Sequence, residues 1–169
     1  ARHLTHFFNA MTPIHHRDIG VTGWGISREG VTFDIIADGI HVAPEMVRHA
    51  CRSRGTDSVS LISDSVAPTG LGDGNFELWD EKVSVLNGRT QNERGSIAGS
   101  VCTMADEVSL MNGLGFTAAE IAAMASANPA MLLGLADRGK IQVGDRADIV
   151  VVDANFNVNS TYVAGVLAQ

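Results

Sequence analysis

The chain has 169 residues, 45% of them hydrophobic and 18% charged, with a formal net charge of −7. That length suits about one domain with a sizeable core, and the composition excludes a disordered chain. The acidic balance argues against nucleic-acid and anionic-membrane partners, both of which select clustered lysine and arginine, and leaves small molecules as the expected ligands.

In chain order, Leu4–Ala10 reads as a first strand carrying His6 and Asn9. A short basic group follows at His15, His16 and Arg17. Val31–Ala37 (VTFDIIA) is rich in β-branched and aromatic residues and stops at Asp38-Gly39, the pattern of a buried strand. In APEMVRHACRSRG, Ala43, Met46, Val47, Ala50 and Cys51 recur at helical spacing, with Pro44 suited to the first turn and Gly55 to the C-terminal stop. VSLIS, residues 59–63, is another short apolar strand. Strand, helix and strand in succession make a βαβ unit, which predicts an α/β class with parallel pairing. Parallel strands place functional loops beyond their C-terminal ends. Each predicted strand here ends in polar residues: His6 and Asn9, then Asp38 and His41, then Asp64.

From Asn75 to about Ser96 the pattern changes to a β-hairpin insertion with a further turn at Asn87-Gly88. Helices resume at about Ser100. Thr117 and Glu120 form a capping box ahead of Ile121, Met124 and Ala125, and Asn128-Pro129 punctuates before AMLLGLA, with Pro129 at a helix start. The tail turns to β structure, with KIQV, a Gly144-Asp145 turn, ADIVVVD and a last strand around Thr161–Leu167. There are only two cysteines, Cys51 and Cys102, without regular spacing, which indicates neither a disulfide framework nor a zinc knuckle and suits a reducing cytoplasm. No apolar run approaches the roughly 20 residues of a membrane span, and nothing resembles a signal peptide.

Individual residues carry open readings. His6, near a strand end, could present an imidazole nitrogen to a metal or be hydrogen-bonded in or near the core. Asp64 ends an apolar strand, where an ionised carboxylate needs a cation or a donor, yet SDSVAPTG is also turn-like enough for Asp64 to cap its own turn. Arg17 has the planar fork that matches phosphate or carboxylate oxygens and could anchor an anionic substrate, or it belongs to a solvated loop. His41 could donate to an anion or a substrate hydroxyl. His49 suits a surface role, and His3 and Cys102 offer no functional argument.

Taken in series, THFFNAM with HHR, IIADGIHV, SDSVAPTG, GSIAGS and the closing RGKIQVGDRADIVVVD resemble the amidohydrolase superfamily, and within it the deacetylases of N-acetylglucosamine 6-phosphate. The resemblance runs along essentially the whole chain. It implies the C-terminal part of a (β/α)₈ barrel over residues 1–137, with strands of a small β-sandwich domain over 138–169. It implies His6 as a metal ligand for a divalent ion, Zn or Fe, and Asp64 as the catalytic acid-base. Substrate contacts fall on Asn9, Ala10, Arg17, His41 and the loop Ile97, Ala98 and Gly99, with the phosphate contacts shared across a homodimer. A complete barrel needs roughly 250 residues, and ARHLTHFFNAM enters an apolar segment with no lead-in, so the expectation is the C-terminal part of a longer enzyme whose missing half completes the metal site. The alternatives are a non-catalytic sugar-phosphate-binding or assembly piece, and a deacetylase for the galactosamine phosphate.

Overall fold

Three parallel strands, β1 (His3–Leu4), β2 (Thr32–Ile35) and β3 (Val59–Leu61), lie side by side in chain order. Leu4 sits opposite Phe33, and Ile35 opposite Leu61. Helices α1 (Gly20–Ser27) and α2 (Pro44–Arg54) make the two crossovers. This is a computed structural model that describes residues 1–78 and 80–168. The βαβ expectation holds, and the α/β class with it. Helix α2 runs from Pro44 in its first turn to Gly55 with φ +80°, and it buries Val47, Ala50 and Cys51 against the sheet.

The first strand is shorter than Leu4–Ala10. His6, Phe8 and Ala10 adopt left-handed φ of 36°, 78° and 56°, which takes the chain out of an extended path directly after Leu4. The segment is held inward nonetheless: Phe7 is fully buried, stacked on Phe33 at 4.1 Å between ring centroids, and its N–H donates to Asp34 O. Helix α1 was absent from the pattern reading because three of its eight residues are glycine. Packing explains Gly25, where an added methyl would stand 2.6 Å from Leu4 Cδ1 and 2.9 Å from Phe7 Cε2, while methyls at Gly20 and Gly23 would meet Thr12 O at 2.9 Å and Ile19 Cβ at 2.8 Å. Close approach to the sheet outweighs the weak helix propensity of glycine.

An antiparallel meander follows, β4 (Gly74–Leu78), β5 (Glu81–Leu86) and β6 (Arg89–Asn92), turning at Asn87-Gly88 with φ 50° and 76°. Its turn reaches back to the loop after β2, since a methyl at Gly88 would lie 3.3 Å from Ile40 Cδ1. Residues 97–103 then run beside the end of β3, with a parallel bridge between Ser65 and Ser100. Helix α3 (Met104–Gly113) therefore begins later than Ser100, at a capping box made by Thr103 and Asp106.

The Thr117–Glu120 capping box opens α4 (Ala118–Ala122) as expected. Pro129 stands in the first turn of the next helix, as expected, but Asn128-Pro129 does not separate that helix from α4. A π-turn over Ala123–Ala127 joins α4 to α5 (Asn128–Leu132), with the Asn128 N–H bonded to Ala123 O. The wider turn relieves the pressure that a proline ring puts on the preceding helical carbonyl. The Asn128 side chain is also occupied, its Nδ2 donating to Thr56 O at 2.8 Å and Val59 O at 2.6 Å.

In the tail, ADIVVVD supplies β7 (Ile149–Val152). The expected last strand is two, β8 (Val158–Val163) and β9 (Val166–Leu167), because Ala164-Gly165 turns with φ 51° and 80°. KIQV is not a strand: Ile141 and Val143 stand exposed at 91% and 102%, and an apolar alternation without a partner strand to bond has no ladder to join. Among the described residues no helix is long and apolar enough to cross a membrane. The main core is formed by Phe7, Phe33, Ile35, Val47, Val59, Met111, Ile121 and Met124, which joins the parallel sheet to α2, α3 and α4.

Candidate functional site

Because β1, β2 and β3 run parallel and in register, the residues that follow them emerge along one edge of the sheet. His6 comes two residues after Leu4, Asp38 and His41 three and six after Ile35, and Asp64 three after Leu61. With β2 between them, the ends carrying His6 and Asp64 are separated by two strand spacings, roughly 9–10 Å. That leaves room for one small group between side chains reaching inward.

His6 is positioned by Asp34 of β2. The buried Asp34 carboxylate accepts from His3 Nε2 at 2.9 Å, from Thr5 Oγ1 at 3.2 Å, and from the backbone N–H of His6. His3 is itself held on its other nitrogen by Thr32 Oγ1 at 2.8 Å. The His6 backbone is thus pinned in its left-handed conformation, while its ring Nδ1 is buried without a hydrogen-bond partner among the described residues. An orphaned buried imidazole nitrogen suits a metal ligand. A catalytic zinc site commonly takes three protein ligands, and among the described residues no three His, Cys, Asp or Glu side chains gather to hold an ion. His6 fits one ligand position.

The second arm is the Asp38–His41 pair, whose side chains are only 4% and 6% exposed. Asp38 Oδ2 accepts from His41 Nδ1 at 2.7 Å, and Oδ1 accepts the backbone N–H groups of Ile40 and His41, both at 2.8 Å. Burial pushes the Asp38 acid upward, but these hydrogen bonds outweigh it and hold the group below the usual carboxylate range. An ionised acceptor assigns the proton to Nδ1 and leaves His41 Nε2 as the atom available to a ligand.

Asp64 sits on the third arm with φ 47°. The turn-capping reading does not hold, since among the described residues no hydrogen bond reaches its exposed carboxylate. The backbone is what is anchored: Ser100 N–H donates to Asp64 O at 2.8 Å. Gly99 presses on the same carbonyl, because a methyl there would stand 2.9 Å from Asp64 O and 2.6 Å from Val66 Cγ1. Thr90, fully buried, fastens the loop from the meander side by donating to Gly99 O at 2.6 Å and accepting from Ala98 N–H at 3.1 Å. The Asp64 backbone and the Ile97–Gly99 loop are brought together. Asn9 and Ala10 lie in the turn after His6, where Asn9 N–H donates to His6 O at 2.9 Å. Arg17 is on the exposed loop between β1 and α1, beside His15 and His16, and makes no ion pair among the described residues.

Three functional-edge residues escaped sequence reading. Asp34 was hidden inside a strand that otherwise reads as apolar, and His3 is its partner. Glu107 is fully buried on α3, with one oxygen facing the Cys102 thiol. A signal existed for it: Glu107 lies three residues after Met104 and four before Met111, on the apolar face of its helix.

A parallel α/β sheet that gathers an orphaned imidazole, a buried acid-imidazole pair and a free carboxylate on one edge is an arrangement suited to a hydrolase. Residues 3–168 match the amidohydrolase family, and the chain belongs to that family. The N-acetylglucosamine-6-phosphate deacetylase of Bacillus subtilis (strain 168) is 36% identical over 170 residues, covering 99% of this chain and 43% of the relative. The N-acetylgalactosamine-6-phosphate deacetylase of Escherichia coli O157:H7 is 34% identical, covering 98% of this chain and 44% of the relative. The crystal structure of N-acetylglucosamine-6-phosphate deacetylase from Thermotoga maritima matches with a TM-score of 0.94 at 36% identity, over 98% of this chain and 46% of that one. The chain spans less than half the length of these relatives.

Proposed function

We propose that this chain carries the substrate-binding and proton-transfer side of a metal-dependent deacetylase that hydrolyses the acetamide of N-acetylglucosamine 6-phosphate to glucosamine 6-phosphate and acetate. The observation that carries the reading is the shared strand-end edge of His6, His41 and Asp64, in a chain whose relatives bear that activity in their names. In this reading residues 1–137 are the C-terminal part of a (β/α)₈ barrel and 138–169 are strands of a small β-sandwich. The protein acts in the cytoplasm as a homodimer.

His6 would hold a divalent ion, Zn or Fe, which when bound supplies Lewis acidity toward a carbonyl oxygen and toward water. The relatives' further length, outside the matched span, is where the other ligands are to be sought. Asp64 takes a proton from the attacking water and returns it to the amine nitrogen as the C–N bond breaks, acting first as base and then as acid. A carboxylate on a fixed strand end, with no hydrogen bond among the described residues to occupy it, is suited to both steps. His41 Nε2, oriented by Asp38, contacts the sugar, while Asn9, Ala10 and the Ile97–Gly99 loop enclose it. Arg17, exposed and without an ion pair among the described residues, grips the phosphate, across the dimer in the assembled enzyme.

The galactosamine epimer is a second reading, because a relative of comparable identity carries that name. The deciding experiment measures acetate release from both 6-phosphates, together with bound metal, on the protein at its native length. Release from one epimer in proportion to Zn or Fe content is expected. Metal-loaded protein that binds a sugar phosphate yet releases no acetate would overturn the deacetylase reading in favour of a binding role.

A further inference from the structure

Glu107 stands behind the strand-end edge, and neither arm of the proposed chemistry uses it. It is fully buried, and its Oε2 has no hydrogen-bond partner among the described residues. Its Oε1 lies 3.6 Å from Cys102 Sγ, which is equally 3.6 Å from Ser63 O beside Asp64. From the other side the backbone N–H of Ala37, adjoining Asp38, donates to the Glu107 carboxyl, a contact that with the Cys102 thiol favours the anion but is outweighed by burial. The contact between α3 and this segment is close, since a methyl at Gly39 would stand 3.3 Å from Leu110 Cδ1, one turn along from Glu107. The titratable groups around it are Cys102 from the preceding segment, Asp38 from the loop after β2 with His41 bonded to it, and Asp106 on its own helix. None of these supplies a positive charge at the Glu107 oxygens, and among the described residues no ion pair reaches Glu107.

Those surroundings favour a carboxylic acid over a carboxylate. A buried anion without a cation is costly, and a second anion beside the ionised Asp38 is costlier still. We propose that Glu107 is a positioning residue of the site: in its uncharged form it lets Asp38 remain the one buried anion that orients His41, and when it ionises it disrupts that pair. Burial first, with the nearby Asp38 charge adding to it, pushes the Glu107 acid up to about 8, so the disruption falls at mildly alkaline pH. The inference rests on the proposed function for its kinetic consequence, but not for the coupling between Glu107, Asp38 and His41.

The test uses the native protein and Glu107→Gln, which keeps the shape and cannot ionise. Imidazole NMR resonances of His41 are followed against pH without any ligand. An inflection near pH 8 is expected in the native protein and is expected to vanish in Glu107→Gln. In parallel, KM for N-acetylglucosamine 6-phosphate should rise about tenfold per pH unit once Glu107 ionises, with the variant flat over the same range and close to native kcat at neutral pH. A native His41 resonance with no inflection, or one that persists in the variant, overturns the proposal, and the native measurement alone decides it should the variant not fold. Absence of acetate release alongside a Glu107-dependent inflection would remove the deacetylase reading while the coupling stands.

Discussion

Replacing Glu107 by glutamine should also remove a pH dependence of stability that the native protein carries. The folded acid titrates at about 8 against an ordinary 4.5, because it is buried and shares its surroundings with Asp38. Between those values the folded state holds a proton that the unfolded chain has released. The stabilisation is therefore complete below the lower value, declines as pH rises, and is gone once pH passes the upper one. The slope is about 1.4 kcal/mol per pH unit, and the whole window amounts to roughly 4–5 kcal/mol, a large part of a typical domain's stability. Urea unfolding of both proteins at intervals from about pH 5 to pH 9 measures it. The variant's advantage should grow by about 1.4 kcal/mol per unit up to pH 8 and level off beyond. Asp38, whose acid is shifted the other way, is common to both proteins and cancels to first order in the difference. A constant difference across the window would show that the Glu107 carboxyl is ionised or hydrated in the folded state, and the account of the α3 face would fail.

Other perturbations probe the three arms. Asp64→Asn should lower acetate release by about 10²–10⁴-fold, the usual worth of a positioned acid-base, with no shift in the urea midpoint, because no hydrogen bond reaches the carboxylate; activity within tenfold of native would exclude Asp64 as the proton carrier. Asp34→Ala leaves His3, Thr5 and the His6 backbone without an acceptor and should cost about 3–5 kcal/mol in urea unfolding. It should also weaken retained metal, measured by elemental analysis after dialysis, since the His6 backbone loses its anchor; unchanged metal retention would separate the network from His6. Gly25→Ala sets a helix gain of about 1 kcal/mol against overpacking on the buried Phe7 ring, with a net loss of about 1–2 kcal/mol expected. A more stable Gly25→Ala would refute the packing reason given for Gly25.

The elements legible from pattern are those whose signals are local. Pro44 and Gly55 bound α2, the Thr117–Glu120 box opens α4, and Asn87-Gly88 turns the meander, because each depends on a cap or a φ preference within a few residues. Where pattern misled, a longer-range contact decided. Gly25 of α1 answers to Leu4 and Phe7, and α4 and α5 run on through a π-turn before Asn128-Pro129, with the Asn128 side chain bonded to Thr56 and Val59.

The site divides in the same way. By itself, the sequence determined that His6, His41 and Asp64 follow successive strands of a βαβ series, because chain order and hydrophobic period dictate which end of each strand carries polar residues. It also carried the motifs that mark the amidohydrolase resemblance. Only the tertiary structure decided that Asp34 holds the His6 backbone, that Asp38 takes the proton-bearing face of His41, that Asp64 is free of its own turn, and that Glu107 lies buried behind them. The reason is dielectric as much as geometric: a carboxylate's charge and bonding follow from which donors, charges and apolar atoms surround it, and those neighbours come from segments far apart in the chain.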